Sequence, residues 1–208
     1  MAGHELDVFI NCPFDQSFKP LFEAIHFTVY ACGYSPRCAL EVDDGSDIRF
    51  NKLCRIVAEC PRSIHDLSRI QLNDEGLPRF NMPFELGLMM GAKQFGGKKH
   101  RSKSALIMVA EPYRMPAYLS DLSGSDPSPH HSRPALAIDN VRRYLHNRPL
   151  GAPLPGAQHI NAALIDFQSR LPEMAKGLSI KRQEVDAFGD YRTYAHFVVA
   201  FLSNNPVI

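Results

Sequence analysis

The 208-residue sequence predicts an α/β fold: a flavodoxin-like, doubly wound sandwich whose mostly parallel sheet carries helices on both faces, with a helical C-terminal extension. Three observations predict it. Short apolar runs rich in β-formers alternate with longer segments whose apolar residues recur at helical spacing. Gly, Pro and Cys-Pro pairs punctuate the boundaries between them. Strands separated by helices demand crossover connections, which right-handed geometry lays on both faces of a parallel sheet.

The elements follow in order. "LDVFIN" (6–11) is a strand ended by Cys12-Pro13. Phe18, Leu21, Phe22, Ile25 and Val29 then mark a helix within 17–34, with Gly33 as its C-terminal cap. "SPRCALEV" (35–42) is a second strand. Ile48, Leu53, Ile56 and Val57 define a helix in 46–60, stopped by Pro61. "RSIHDLS" (62–68) is a third strand running into a loop. A helix in 79–97, "RFNMPFELGLMMGAKQFGG", precedes the strand "SALIMVA" (104–110). The Ser-, Pro- and Asp-rich stretch 120–134 reads as a loop. Helices are expected in 135–148, 160–177 and 190–205, with 149–158 as a linker. The chain divides into an α/β core over 1–117 and a helical part over 118–208 that packs on the core, completes the sheet or forms an oligomer surface. In such sheets ligands sit beyond the carboxyl ends of the strands, here at "NCPFD" (11–15), "HDLS" (65–68) and "EPYRMP" (111–116).

Bulk properties narrow the function. A net charge of +1 provides no overall field for nucleic acid, and the one basic run, Lys98-Lys99-His100-Arg101 with Lys103, reads as a solvated loop. Five cysteines, Cys12, Cys32, Cys38, Cys54 and Cys60, lie among apolar neighbours without metal-site or redox spacing, as buried free thiols would. The opening residues do not read as a secretory signal, and no apolar run approaches the roughly 18 residues of a membrane span. The expectation is a cytoplasmic protein with no membrane contact and no structural metal. The motifs of nucleotide-dependent oxidoreductases, phosphate-binding loops, serine hydrolases and zinc proteases are absent. Asp43 to Asp47 lacks the later glutamate of a calcium loop.

The most informative stretch is the helix of 79–97. Pro83 suits a first turn, Asn81 is a natural cap before it, and Glu85 then falls near the positive end of the helix dipole, where it stays ionised. Gly87 and Gly91 each cost roughly 1 kcal/mol against Ala in a helix interior, which points to a close approach to the backbone. They share a stripe with Phe84, Leu88 and Phe95, the face expected to pack on the sheet.

"VFINCPFD" followed by "FNMPFELGLMMGAKQFG" resembles the nucleoside 2-deoxyribosyltransferase family, whose catalytic glutamate lies in a helix start reading roughly "FELGYA". "DVFIN" with a glutamate early in a late helix is also similar to bacterial TIR domains that cleave NAD. The similarity covers about residues 6 to 110. Both families share a flavodoxin-like core and cleave an N-glycosidic bond at ribose. The resemblance therefore implies that Glu85 is the catalytic carboxylate, stabilising or trapping the oxocarbenium ion that develops at the anomeric carbon. It also implies that Asp66 contacts the sugar or assists the leaving base; a strand-end Asx turn is the structural alternative. His65 alternates to the other face of the strand as a packing residue. For the loop Cys12, Pro13, Phe14 and Asp15, the resemblance implies a cover over base or ribose, with Phe14 stacking; Asp15 equally suits a helix cap. Arg37, Arg49 and Arg79 are candidates for phosphate contacts. Asn81 serves ligand or cap, and Met82 beside it belongs to the substrate-binding set.

One argument orders the substrates. The cationic nicotinamide of NAD departs neutral and needs no proton, whereas an ordinary base leaves more easily when protonated by a second acid. One well-placed carboxylate and three arginines therefore lean towards NAD, as substrate rather than cofactor. The expected activity is that of a NAD glycohydrolase or ADP-ribosyl cyclase, which in the TIR resemblance implies anti-phage defence and a homo-oligomer. The alternatives are a nucleoside or nucleotide deoxyribosyltransferase or hydrolase, and a non-enzymatic nucleotide-sensing or assembly module.

Overall fold

The computed structural model describes residues 4–41, 45–70, 79–112, 117–122, 124–146 and 153–207. Five strands form one all-parallel sheet: β1 (Asp7–Asn11), β2 (Ser35–Arg37), β3 (Arg62–Asp66), β4 (Ser104–Val109) and β5 (Ser128–Pro129), in the order β2-β1-β3-β4-β5. This is the flavodoxin-like strand order, with β1 and β3 at the point where the winding reverses. Six helices accompany it: α1 (Lys19–Ala31), α2 (Arg49–Glu59), α3 (Asn81–Phe95), α4 (Pro134–His146), α5 (Ala157–Gly177) and α6 (Tyr191–Asn204).

Side-chain alternation along the strands assigns the two faces. Val8 and Ile10 of β1, Ile64 of β3, and Leu106 and Met108 of β4 point to one side, into a single large core shared with α1, α4, α5 and α6. Phe9 points to the other side and packs with Leu53, Ile56 and Val57 of α2 and Met89 of α3. A third, smaller cluster joins Leu67, Met82, Leu86 and Val109. Gly33 follows α1 at φ 80°, the left-handed conformation that its capping role requires.

The C-terminal part is built into this frame. β5 extends the sheet beside β4 in parallel register, Met108 against Ser128. α4 lies along α1, and aromatic residues of α5 and α6 close over it, with Phe27 meeting Phe167 and Phe201 at ring distances of 5.7 and 6.2 Å. The loop expected over 120–134 thus contains a strand. The second strand expected over 35–42 is only three residues long, and the tail of that expectation lies outside the described residues. Among the described residues no helix is long and apolar enough to cross a membrane.

Candidate functional site

The parallel strands all end on one edge, and α3 begins there. Asn11, the last residue of β1, donates from Nδ2 to the Met82 carbonyl at 2.9 Å and to His65 Nδ1 at 2.9 Å. An amide nitrogen only donates, so His65 Nδ1 accepts and Nε2 carries the proton. That Nε2 has no hydrogen-bond partner, and burial pushes the His65 pKa down to about 3. Asn11 and His65 are register partners on the same face, so this small polar chain fixes the first turn of α3 over the tip of β1.

Glu85 lies one turn further along α3 and is 4% exposed. It is the fifth residue of the helix, so the first turn contains no acid, and the expected dipole-held ionised state does not result. Burial raises its pKa from 4.5 to about 7, and only Arg49 opposes the shift. The Arg49 guanidinium stands 3.7 Å from Glu85 Oε1, beyond hydrogen-bond reach, and its side chain is 62% exposed. A buried carboxyl with one loose, solvent-facing partner is under-compensated.

The other expected site residues divide by geometry. Arg79 is exposed and bonds Asp15 Oδ2 at 3.1 Å, so Arg49 and Arg79 both remain at the strand-tip edge. Asp15 also accepts from the Phe18 amide and from Ser17 Oγ, closing the turn into α1 as a cap would. Arg37 is spent elsewhere: it bonds Asp7, Glu41 and Glu59 in an ion-pair cluster that leaves no donor fork for phosphate. Cys12 and Pro13 are buried, and the Phe14 ring is engaged edge-on by Phe22 at 5.8 Å and Phe188 at 5.7 Å rather than stacked over a ligand space. The Met82 side chain is packed in the apolar cluster, so its contribution is its carbonyl. Asn81 is an exposed first helical residue; the cap position falls to Phe80, whose side chain cannot cap a helix amide.

Asp66 does not join Glu85. It faces the opposite side of the sheet, fully buried, with Oδ2 accepting from His130 Nε2 at 2.9 Å and Oδ1 from the Ser68 amide at 2.9 Å and the Ser68 hydroxyl. His130 Nδ1 accepts from the Ser132 amide at 3.0 Å, so its proton sits on Nε2, toward Asp66. The Asx-turn alternative is therefore realised, and His130 adds a lock between the ends of β3 and β5 that sequence reasoning missed. A buried histidine in a Ser-, Pro- and Asp-rich loop carried no periodic signal.

Two further expectations about α3 are corrected. A Cβ built at Gly87 or Gly91 meets nothing within 4 Å, so no backbone approaches there. Phe84 and Phe95 face outward, while Met82, Glu85, Leu86 and Met89 form the inner face. Four cysteines are buried as expected, but Cys54 is exposed. Burial raises the thiol pKa of Cys32, Cys38 and Cys60 to about 12, which makes them inert.

Among the described residues no cluster of His, Cys, Asp or Glu could hold a metal ion. A cavity of about 690 Å³ runs between the second half of α3 and β4, and one of about 280 Å³ sits at the strand tips between Phe18, Leu21, Ser68 and Arg69. Glu85 lines neither; it sits beneath Arg49, between the starts of α2 and α3. No protein-family model matches the chain, and no curated protein matches it significantly.

Proposed function

We propose that this protein cleaves the N-glycosidic bond of a ribose bearing a cationic base, with NAD as substrate and Glu85 as the catalytic carboxylate. The observation that carries the reading is the under-compensated burial of Glu85 at the strand-tip edge, where an α/β sheet places its ligands. A buried acid that weakens the fold and has only one loose, solvent-facing partner is a functional candidate. A cationic nicotinamide ribose beside it restores the ionised carboxylate by supplying the missing positive charge. Arg49, which reaches Glu85, and Arg79, which reaches Asp15 after β1, are then the groups to hold the diphosphate.

In the proposed reaction the C1′–N bond breaks, and its electron pair goes to the pyridinium nitrogen, which leaves as neutral nicotinamide. Glu85 stabilises the cation left at C1′ or traps it as an ester. Attack by water, with loss of a proton, gives ADP-ribose; attack by a nitrogen of the adenine gives a cyclic product. The seclusion of Asp66 supports a cationic leaving group, because that acid cannot protonate a neutral one. Free, inert thiols suit the reducing cytoplasm, and consumption of NAD there fits the anti-phage role implied by the TIR resemblance.

A second reading, base exchange on deoxynucleosides, is favoured by the pKa of Glu85 itself: near 7 it retains a proton at neutral pH that a neutral base could use. Chromatographic product analysis separates the two. Nicotinamide release from NAD, lost in Glu85→Gln, supports the first. Exchange between a deoxynucleoside and a free base, without NAD turnover, supports the second. Stabilisation by nucleotide with no product from either rejects both in favour of a sensing module.

A further inference from the structure

We propose that the outward face of α3 is a self-complementary interface on which a second copy of this chain docks antiparallel, independently of any chemistry at Glu85. Advancing 100° per residue, Phe80, Phe84, Gly87, Leu88, Gly91 and Phe95 fall within an arc of about 100°. The inner face, Met82, Glu85, Leu86 and Met89, lies opposite. This outward arc is an apolar stripe on a helix that already packs its other side. Phe84 and Phe95 are 53% and 88% exposed, and neither is an ordinary solvent-facing residue.

The stripe alternates bulk and absence in a self-matching way. A two-fold axis through the helix between Gly87 and Leu88 sets Phe84 of one copy on Gly91 of the other, Gly87 against Leu88, and Phe80 beside Phe95. Bulk thus meets space at the two Phe84–Gly91 pairs flanking the axis, and ring meets ring at the two ends of an isologous contact. The glycines accommodate this because, among the described residues, nothing comes within 4 Å of where their Cβ would be. They cost helix stability and gain nothing within one chain, whereas a partner's ring fills the space above them.

The surface is also large enough. Phe50 extends the stripe, its ring 6.1 Å from that of Phe84. The exposed parts of Phe50, Phe80, Phe84 and Phe95 leave on the order of 500 Å² open, at roughly 200 Å² per side chain. On the other flank the 690 Å³ groove, between Gly87, Gly91 and Phe95 on α3 and Ala105 and Ile107 on β4, continues the apolar surface. Together they approach the roughly 800 Å² per partner that a stable dimer buries.

The test is sedimentation equilibrium of the full chain from 1 to 100 μM. The wild type sediments as a dimer in the upper part of that range. Gly91→Leu and Phe95→Glu each weaken association at least tenfold while far-UV circular dichroism stays unchanged. The swap Phe84→Ala with Gly91→Phe, which again sets a ring against a small residue, recovers at least part of the lost affinity. A wild type that remains monomeric at 100 μM, a dimer indifferent to both single substitutions, or a swap weaker than either single change overturns the interface.

Discussion

The two faces of the sheet are built on different terms. On the α1 side, helices α1, α4, α5 and α6 close one continuous core, the Phe167 ring meets those of Phe27, Tyr194 and Phe201 at 5.7, 5.9 and 5.4 Å, and the buried Asp66–His130 pair is hydrogen-bonded. On the α3 side, two helices cover a narrower strip, the clusters are small, aromatic residues stand in solvent, and Glu85 and His65 are buried with unmet needs. Unpartnered buried polar atoms occur on both faces, since His26 and the Tyr194 hydroxyl lie on the α1 side; what sets the α3 side apart is its small clusters, its exposed rings and a buried acid with one loose partner. Low-stability regions are where binding and catalysis are drawn from.

Breaking the packed face has the largest effect. Phe167→Ala lowers unfolding free energy by about 3–5 kcal/mol in urea denaturation, since a fully buried ring leaves a cavity that tight packing cannot fill. Phe95→Ala on the other face changes the protomer's stability by less than about 0.5 kcal/mol. A protomer that tolerated both equally would contradict the contrast.

Glu85→Gln is expected to stabilise. The folded-state pKa of about 7 lies above the ordinary 4.5, so the native state binds the extra proton between those values. Native stability from Glu85 is therefore intact below pH 4.5 and is lost as pH rises through 7. At pH 8 the variant gains about 3 kcal/mol over wild type, the rise from 4.5 to about 7 counted at roughly 1.36 kcal/mol per unit, and below pH 4.5 the two coincide. His26 and His65 act in the opposite sense. Burial lowers both pKa values to about 3, so their neutral forms favour the native state above pH 6.5, and that stability falls as pH drops toward 3. The Glu85 contribution is accordingly read as the difference between wild type and variant at each pH.

Asp66→Ala strands His130 Nε2 and the Ser68 donors in the interior. It costs about 1–3 kcal/mol by denaturation. A modest effect of the opposite sign is expected at Gly91→Ala, which strengthens the protomer by up to about 1 kcal/mol because the added methyl meets no described atom and alanine replaces a flexible helix glycine; Phe95→Ala remains the smallest change.

Alternation and helical spacing made most of this frame readable in the chain. β1, β3, β4 and the six helices fall within a few residues of where apolar periodicity puts them, because each buries a face that must repeat at 2 or 3.6 residues. β5 escaped because two residues, Ser128 and Pro129, contain no pattern; only the neighbouring strand makes them a strand. In α3 the spacing revealed two stripes without saying which one meets the sheet. The aromatic stripe looked like the core, yet Met82, Leu86 and Met89 fill it. Glu85 was legible as a candidate, but its burial depends on that choice of face, and so does its raised pKa. Asn11 and His65 left a fainter sign: buried polar residues at register-matched positions of two neighbouring strands, which spacing within either strand does not reveal.

The central claim is that Glu85 accepts instability in order to act on a ribose cation. Its most direct test is chromatographic analysis of purified protein incubated with NAD, comparing wild type with Glu85→Gln. The account predicts nicotinamide and an ADP-ribose product from wild type, and at least a hundredfold less from a variant that is folded and more stable. Equal turnover by the two proteins would contradict it.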